Sequence, residues 1–170
     1  MIKLIVAADE NWAIGYQNEL LYHIKEDMKR FKALTTGNIV VMGRKTLESM
    51  PNGAPLPNRE NVVLSSRNLK AEVTLCHTLA ELGEYLRMQK KDIYIIGGET
   101  IYQELLDYCA EAEVTKIYAK KEAADAFFPD LDERGNWHIA EKSEVFSAGD
   151  ISYSFVKYKN EKPKSLGELR

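Results

Sequence analysis

The sequence predicts an α/β domain built on a largely parallel sheet, and three observations carry that prediction. The chain has 170 residues, the size at which one domain encloses one core. Short β-branched runs alternate with helical patterns between positions 3 and 119. Runs such as Ile39-Val40-Val41-Met42 and Ile93-Tyr94-Ile95-Ile96 are apolar at consecutive positions, as strands covered on both faces must be.

Taken in order, strands are expected at 3–8, 39–42, 61–65, 73–76, 93–96 and 114–119. Helices are expected at 24–35, 45–50, 79–88 and 100–108. Thr78 followed three residues later by Glu81 forms a capping box, which starts the third helix. After Pro129 the pattern changes. Ile151, Tyr153, Phe155 and Tyr158 predict a strand with one buried side, and two strands without an intervening helix add antiparallel to the sheet edge. Residues 1–159 thus read as the domain, and the polar stretch 160–170, with Pro163 and Gly167, as a loose tail. The longest irregular stretches before position 120 are 9–23 and 51–59, and long loops in compact domains carry function.

Composition excludes several classes. With 23 Lys and Arg against 26 Asp and Glu, the formal charge is −3, so no general attraction for nucleic acid is expected and any cationic site is local. Cys76 and Cys109 form no paired motif and His23, His77 and His138 are scattered, so neither a metal site nor a disulfide is expected. The apolar run 4–8 is too short for a signal-peptide core or a membrane span, which predicts a cytoplasmic protein with no membrane partner.

On a helix over 24–35, Ile24, Asp27, Met28, Phe31 and Leu34 share one face, while Lys25, Glu26, Lys29, Arg30 and Lys32 take the wet remainder. Asp27 is the odd member of the apolar stripe. A carboxylate there must be paired, hydrogen-bonded or shifted toward its neutral form. A cleft acid awaiting a cationic or amide-like ligand meets that requirement; so does an acid at the stripe margin that favours the positive end of the helix dipole.

Three strands end in turns suited to a nucleotide. Gly43 leads into Arg44, Lys45 and Thr46 at a helix start, where backbone amides, two cations and a hydroxyl make a phosphate site. It is not a Walker A loop, because Gly37 and Gly43 are one residue too far apart and Arg44 intervenes. Ser65, Ser66 and Arg67 suit a further phosphate, such as the 2′-phosphate of NADP, or form an exposed turn. Gly97-Gly98 permits close backbone approach to a ligand or serves a tight turn, and the full GxGxxG fingerprint is absent.

In chain order, LIVAA, AIG with Asn18 three residues beyond Gly15, D-M-x-x-F-K, VMGRKT, P-L-P-x-R, NVVLSS, IIGGETIY, VTKIYA and D-A-F-F-P resemble the dihydrofolate reductase family of bacterial type, over roughly residues 1 to 158. The resemblance implies a mixed, mainly parallel eight-stranded sheet flanked by four helices. It implies NADPH-dependent reduction of 7,8-dihydrofolate to tetrahydrofolate, with hydride to C6 and a proton at N5, in support of one-carbon metabolism. Dihydrofolate and antifolate inhibitors are the implied ligands, and a monomer the implied state.

Residue by residue, the resemblance makes Asp27 the acid that binds the pterin 2-amino group and N3, with Thr115, Leu20 and Tyr22 completing the catalytic set. Ile5, Ala7, Met28, Phe31, Met50, Leu56 and Ile96 correspond to the substrate-pocket lining, and Arg59 to the clamp on the glutamate α-carboxylate. The cofactor contacts correspond to Ala7, Ile14, Gly15, Asn18, Gly43, Arg44, Lys45, Thr46, Leu64, Ser65, Ser66, Arg67, Ile96, Gly97, Gly98, Glu99, Thr100, Ile101 and Tyr102. The adjacent glycines are expected to share a cis bond, residues 9–23 to form a lid, and Asp125 to tether its closed form.

Three departures stand out. Tyr22 replaces the tryptophan that organises a water near the pterin, Lys25 replaces a common proline, and residues 122–129 run one residue longer than in some relatives. Two other readings share the motifs: a pteridine or riboflavin-pathway reductase of the same fold, and an NADPH-binding module without turnover. Arg59 separates the first, because a ligand without a glutamate tail needs no such clamp.

Overall fold

Apolar runs in the middle of the sequence become the middle of the sheet: Ile39, Val40, Val41 and Met42 are all fully buried. The computed structural model describes residues Met1 to Arg170. In chain order the elements are β1 (Ile2–Ala8), β2 (Ala13–Tyr16), β3 (Glu19–Leu20), α1 (Lys25–Thr35), β4 (Ile39–Gly43), α2 (Arg44–Ser49), β5 (Glu60–Leu64) and β6 (Thr74–Cys76). They continue with α3 (Leu79–Arg87), β7 (Ile93–Gly97), α4 (Glu99–Leu105), β8 (Glu111–Ile117), β9 (Ala126–Phe127), β10 (Trp137–Lys142), β11 (Phe146–Ala148) and β12 (Ile151–Asn160).

The main sheet runs β10-β12-β8-β1-β7-β4-β5-β6. From β8 to β6 every neighbour is parallel, and β12 enters antiparallel between β8 and β10. The expected eight strands form that path, and β11 adds a short ninth beside β12. A second sheet, β3-β2-β9, takes β2 and β3 from the stretch 9–23 expected to be an irregular lid and β9 from beyond it. Its strands are two to four residues long, too short for a periodic signal.

The sheet is apolar on both faces. One carries the main core with Leu4, Ile95, Leu105, Val114 and Tyr158; the other packs Val40, Met42, Val63 and Tyr94 beneath α2. Each fully buried Leu, Ile or Val contributes about 1.5–3 kcal/mol over its exposed state. Thr78 accepts the Glu81 N–H at the start of α3, as the capping pattern predicts.

Three expectations are corrected. β8 begins at Glu111 and not at Val114, because Glu111 and Glu113 are buried in it with Lys3, Arg30 and Lys157 as partners. β12 buries both faces, Val156 and Tyr158 toward the main core and Tyr153 with Phe155 toward α1. The stretch after Asn160 is docked, not loose. Ser165 caps a short 3-10 turn, Leu166–Glu168, and Leu169 is buried against Gly83. A Cβ at Gly83 would stand 3.0 Å from the Leu166 carbonyl oxygen and 3.2 Å from Leu169 Cβ, so a larger residue would push the docked segment outward by a few tenths of an ångström.

Candidate active site

Helix α1 carries the acid singled out by its pattern, and the helix fully buries only Thr35. Met28 remains 47% exposed and Phe31 half-buried, so the apolar stripe overlooks a cleft and does not seal the core. Asp27 sits at its centre. Its Oδ1 accepts a hydrogen bond from Thr115 Oγ1 of β8 at 2.5 Å. Burial pushes the Asp27 carboxyl up from its ordinary value, opposed by the Thr115 hydrogen bond and the Arg30 charge.

The floor beneath Asp27 comes from strand register. Ala7 on β1 stands opposite Thr115, and Ile5 opposite Glu113, two positions earlier on the same face. The Tyr102 hydroxyl donates to the Ile5 carbonyl at 2.7 Å, tying α4 to this floor. Ile5, Met50, Leu56 and Ile96 all pack against one apolar cluster, which gathers β1, β7 and the segment after α2 around the cleft.

Asn61 braces that segment: its amide accepts the Leu56 N–H and donates to the Leu56 and Arg59 carbonyls. Arg59 is thereby held with Nη1 on Thr35 Oγ1 at 3.1 Å, Nε on the Pro57 carbonyl at 2.9 Å, and its guanidinium 6.0 Å from the Phe31 ring. Its partners are neutral, and burial lowers its pKa from the ordinary value. A half-buried guanidinium without a carboxylate partner is suited to an anionic ligand group.

Two adjoining cavities open beside the cleft. The smaller, about 150 Å³, is lined by Ala7, Ile14, Gly15, Asn18, Leu20, Ile96, Gly97, Gly98 and Tyr102. The larger, about 890 Å³, is lined by Gly43, Arg44, Lys45, Thr46, Leu64, Ser65, Ser66, Arg67, Glu99, Thr100 and Ile101. Asn18, Thr46, Gly98, Glu99 and Asp125 border both. Every residue expected to meet the cofactor thus lies on one continuous groove at the C-terminal ends of β1, β4, β5 and β7, where ligands bind in open α/β sheets.

Glycines let the strand ends close up. A Cβ at Gly43 would stand 3.1 Å from Ile101 Cγ1, and one at Gly97, whose φ is +124°, 3.3 Å from the Tyr102 ring. Gly97-Gly98 is the expected cis peptide. The donor set of Arg44, Lys45, Thr46, Ser65, Ser66 and Arg67 fits a cofactor bearing several phosphates. Arg44 meets Glu48 one turn along α2 at 2.6 Å, a counter-ion that sequence reasoning missed.

The stretch expected to form the lid supplies β2 and β3 of the β3-β2-β9 sheet. Asp125 Oδ2 accepts the Gln17 N–H at 3.0 Å, Asn18 Nδ2 donates to the Lys45 carbonyl at 3.0 Å, and Glu99 Oε1 accepts the Phe127 N–H at 3.1 Å. Its root is Asp9, buried and also missed from sequence. Asp9 Oδ1 accepts from the Asn11 and Ala13 N–H groups, and Oδ2 from Tyr22 and the Lys121 N–H. The only sequence signal is an acid ending the apolar run of β1.

Tyr22, expected in the catalytic set, is held by another partner: its hydroxyl donates to Asp9 Oδ2 at 3.3 Å, and the Lys121 ammonium lies 4.6 Å from its ring.

Comparison with known proteins agrees with this geometry. The profile of the dihydrofolate reductase family matches residues 1–160. The chain is 34% identical to the dihydrofolate reductase of Bacillus subtilis over 98% of its own length and 99% of that protein. It is 38% identical to that of Neisseria gonorrhoeae, over 92% and 96% respectively. It is 44% identical over 119 residues to a bifunctional dihydrofolate reductase-thymidylate synthase of Paramecium tetraurelia, covering 68% of this chain but only 25% of that longer protein. A solved dihydrofolate reductase of Enterococcus faecalis, complexed with NADP(H) and RAB-propyl, superposes with a TM-score of 0.86 at 30% identity, over 95% of this chain and 97% of that one. The chain belongs to the dihydrofolate reductase family.

Proposed function

We propose that residues 1–159 form an NADPH-dependent reductase of 7,8-dihydrofolate in which Asp27 is the acid, and the observation that carries this is the raised carboxyl of Asp27, half-buried on an open apolar helix face. Thr115 takes one acceptor site on Oδ1, which leaves the other site there and both on Oδ2 for the pterin 2-amino group and N3. Asp27 retains a proton nearer to neutrality than an exposed acid does, which favours protonation at N5.

Phe31 and Met28 cover the aminobenzoyl ring, and Arg59 grips the glutamate α-carboxylate through its unoccupied donors. NADPH, when bound, supplies the hydride for C6. Arg44, Lys45 and Thr46 hold its bridging phosphates, and Ser65, Ser66 and Arg67 its 2′-phosphate. Ile14, Leu20 and the tether through Asp125 close the lid and exclude water. Antifolates take the same carboxylate. No helix of the protein is long and apolar enough to cross a membrane. We place the protein in the cytoplasm as a monomer.

The test is the loss of nicotinamide absorbance with purified protein, NADPH and dihydrofolate, against NADH and a dihydrofolate-free blank. NADPH-preferring turnover that Asp27→Asn abolishes near neutral pH supports the assignment. NADPH binding without turnover of dihydrofolate overturns it.

A further inference from the structure

Arg30 belongs by helical pattern to the wet side of α1, yet its guanidinium is folded onto the sheet. Arg30 Nη2 lies 2.8 Å from Glu113 Oε2, and the guanidinium carbon lies 4.5 Å from the centre of the Phe155 ring. Glu113 is 7% exposed and takes a second cation, Lys157 Nζ, at 3.5 Å. Register explains the grouping. Glu113 and Thr115 share one face of β8, with Lys157 and Phe155 directly opposite them on β12. Arg30 is one helical turn beyond Asp27, at a spacing that makes side chains neighbours.

Two restraints therefore fix the guanidinium behind the acid: a buried carboxylate and an aromatic face. The charge cannot titrate away, because a guanidinium stays protonated in proteins. Other groups face this cluster as well. Thr115 of β8 and Tyr102 of α4 adjoin Asp27. Glu111 of β8, Lys3 of β1 and Tyr94 of β7 adjoin Glu113 along the sheet, and Glu141 of β10 meets Lys157 at 3.8 Å. Of the ionic groups, Arg30 alone reaches Asp27 strongly enough to oppose the effect of burial there.

We infer that Arg30 is a positioning residue for the reaction: Glu113 and Phe155 hold its charge one helical turn from Asp27, and that held charge sets the pH at which turnover fails. The inference rests on Asp27 as the acid of the proposed reaction. A guanidinium beside a carboxylate favours the ionised form, and Glu113 acts on Asp27 by holding that guanidinium in place. Removing either partner therefore moves Asp27 in the same direction.

The experiment is a titration of the Asp27 carboxyl by carbon NMR, beside the pH profile of kcat, for the wild-type protein, Arg30→Met, Arg30→Lys, Glu113→Gln and Asp27→Asn. Arg30→Met is expected to raise the Asp27 midpoint by about 0.5–1 pH unit, and Glu113→Gln, which loosens the guanidinium, to raise it by less. The falling limb of kcat moves with each, and Arg30→Lys, which keeps the charge, stays near wild type. If Glu113→Gln does not fold, the contrast between Met and Lys at position 30 still decides the sign. An unmoved midpoint in Arg30→Met, or a shift of opposite sign in Glu113→Gln, overturns the inference. A pH profile that Asp27→Asn leaves unchanged instead overturns the role of Asp27 itself, and is told apart by that variant alone.

Discussion

The Thr115 hydroxyl donates to Asp27 Oδ1 at 2.5 Å, joining a strand of the main sheet to the helix across the cleft. The bond favours the ionised carboxyl, against the burial that disfavours it. Thr115→Val, nearly equal in volume, removes the donor alone. Asp27 is then expected to hold its proton to higher pH, moving the falling limb of activity upward, while stability drops by about 1–2 kcal/mol. A pH profile of kcat with urea unfolding of both proteins checks this.

The acid itself costs stability. Its folded-state value lies above its unfolded one, so the folded state binds the proton more tightly. That contribution is complete below the unfolded value, near about pH 4, and is lost as pH rises through the folded value. Asp27→Asn does not titrate. It is expected to match the wild-type protein in acid and to exceed it at pH 8 by on the order of 1 kcal/mol, while losing turnover. Urea midpoints at the two pH values measure the difference.

Arg59 has neutral partners, Thr35 and the Pro57 carbonyl, so its charge is available to a ligand. Arg59→Ala is expected to raise KM for dihydrofolate by roughly 10- to 100-fold, equivalent to about 1.4–2.7 kcal/mol, with little change in NADPH affinity. Arg59→Lys recovers only part of that, because a point charge lacks the two-pronged geometry. Steady-state kinetics with each substrate varied in turn decide the matter; equal losses for both ligands would contradict it.

Asp125 is exposed, and its side chain meets the expected lid through one bond, accepted from the Gln17 N–H. Asp125→Ala is expected to lower kcat roughly tenfold while leaving the melting temperature within a degree or two, since the bond orders a surface segment. Stopped-flow measurement of hydride transfer would show the loss; an unchanged rate would remove the lid from the kinetic account.

The parts of this fold legible in the sequence were those with a one-residue chemical signature. Apolar runs marked β1, β4, β5 and β7, and Thr78 marked the start of α3. Asp27 was legible because it broke a stripe. Glu111, Glu113 and Arg30 were not, because a charged residue reads as solvated until the strand that neutralises it is known, and Lys157 lies 44 positions from Glu113. Asp9 and Tyr22 were opaque for the same reason, their junction being completed by Lys121 from a distant loop. Leu169 is hidden by its polar neighbours, and nothing in the pattern of α3 singles out Gly83, which receives it.

The insertion of β12 between β8 and β10 also governs when the protein can begin to work. While a ribosome is still making residues 151–160, β8 has an open edge on the side where β12 will lie, and the buried charges of Glu111 and Glu113 lack the strand that covers them. Thr115, the partner of Asp27, sits on that unfinished edge. A nascent chain halted before β12 therefore carries every cofactor-groove residue but no settled acid, and presents a bare strand edge to its neighbours. Until β12 has joined it, the bare edge of β8 is exposed to pairing with another copy of the chain.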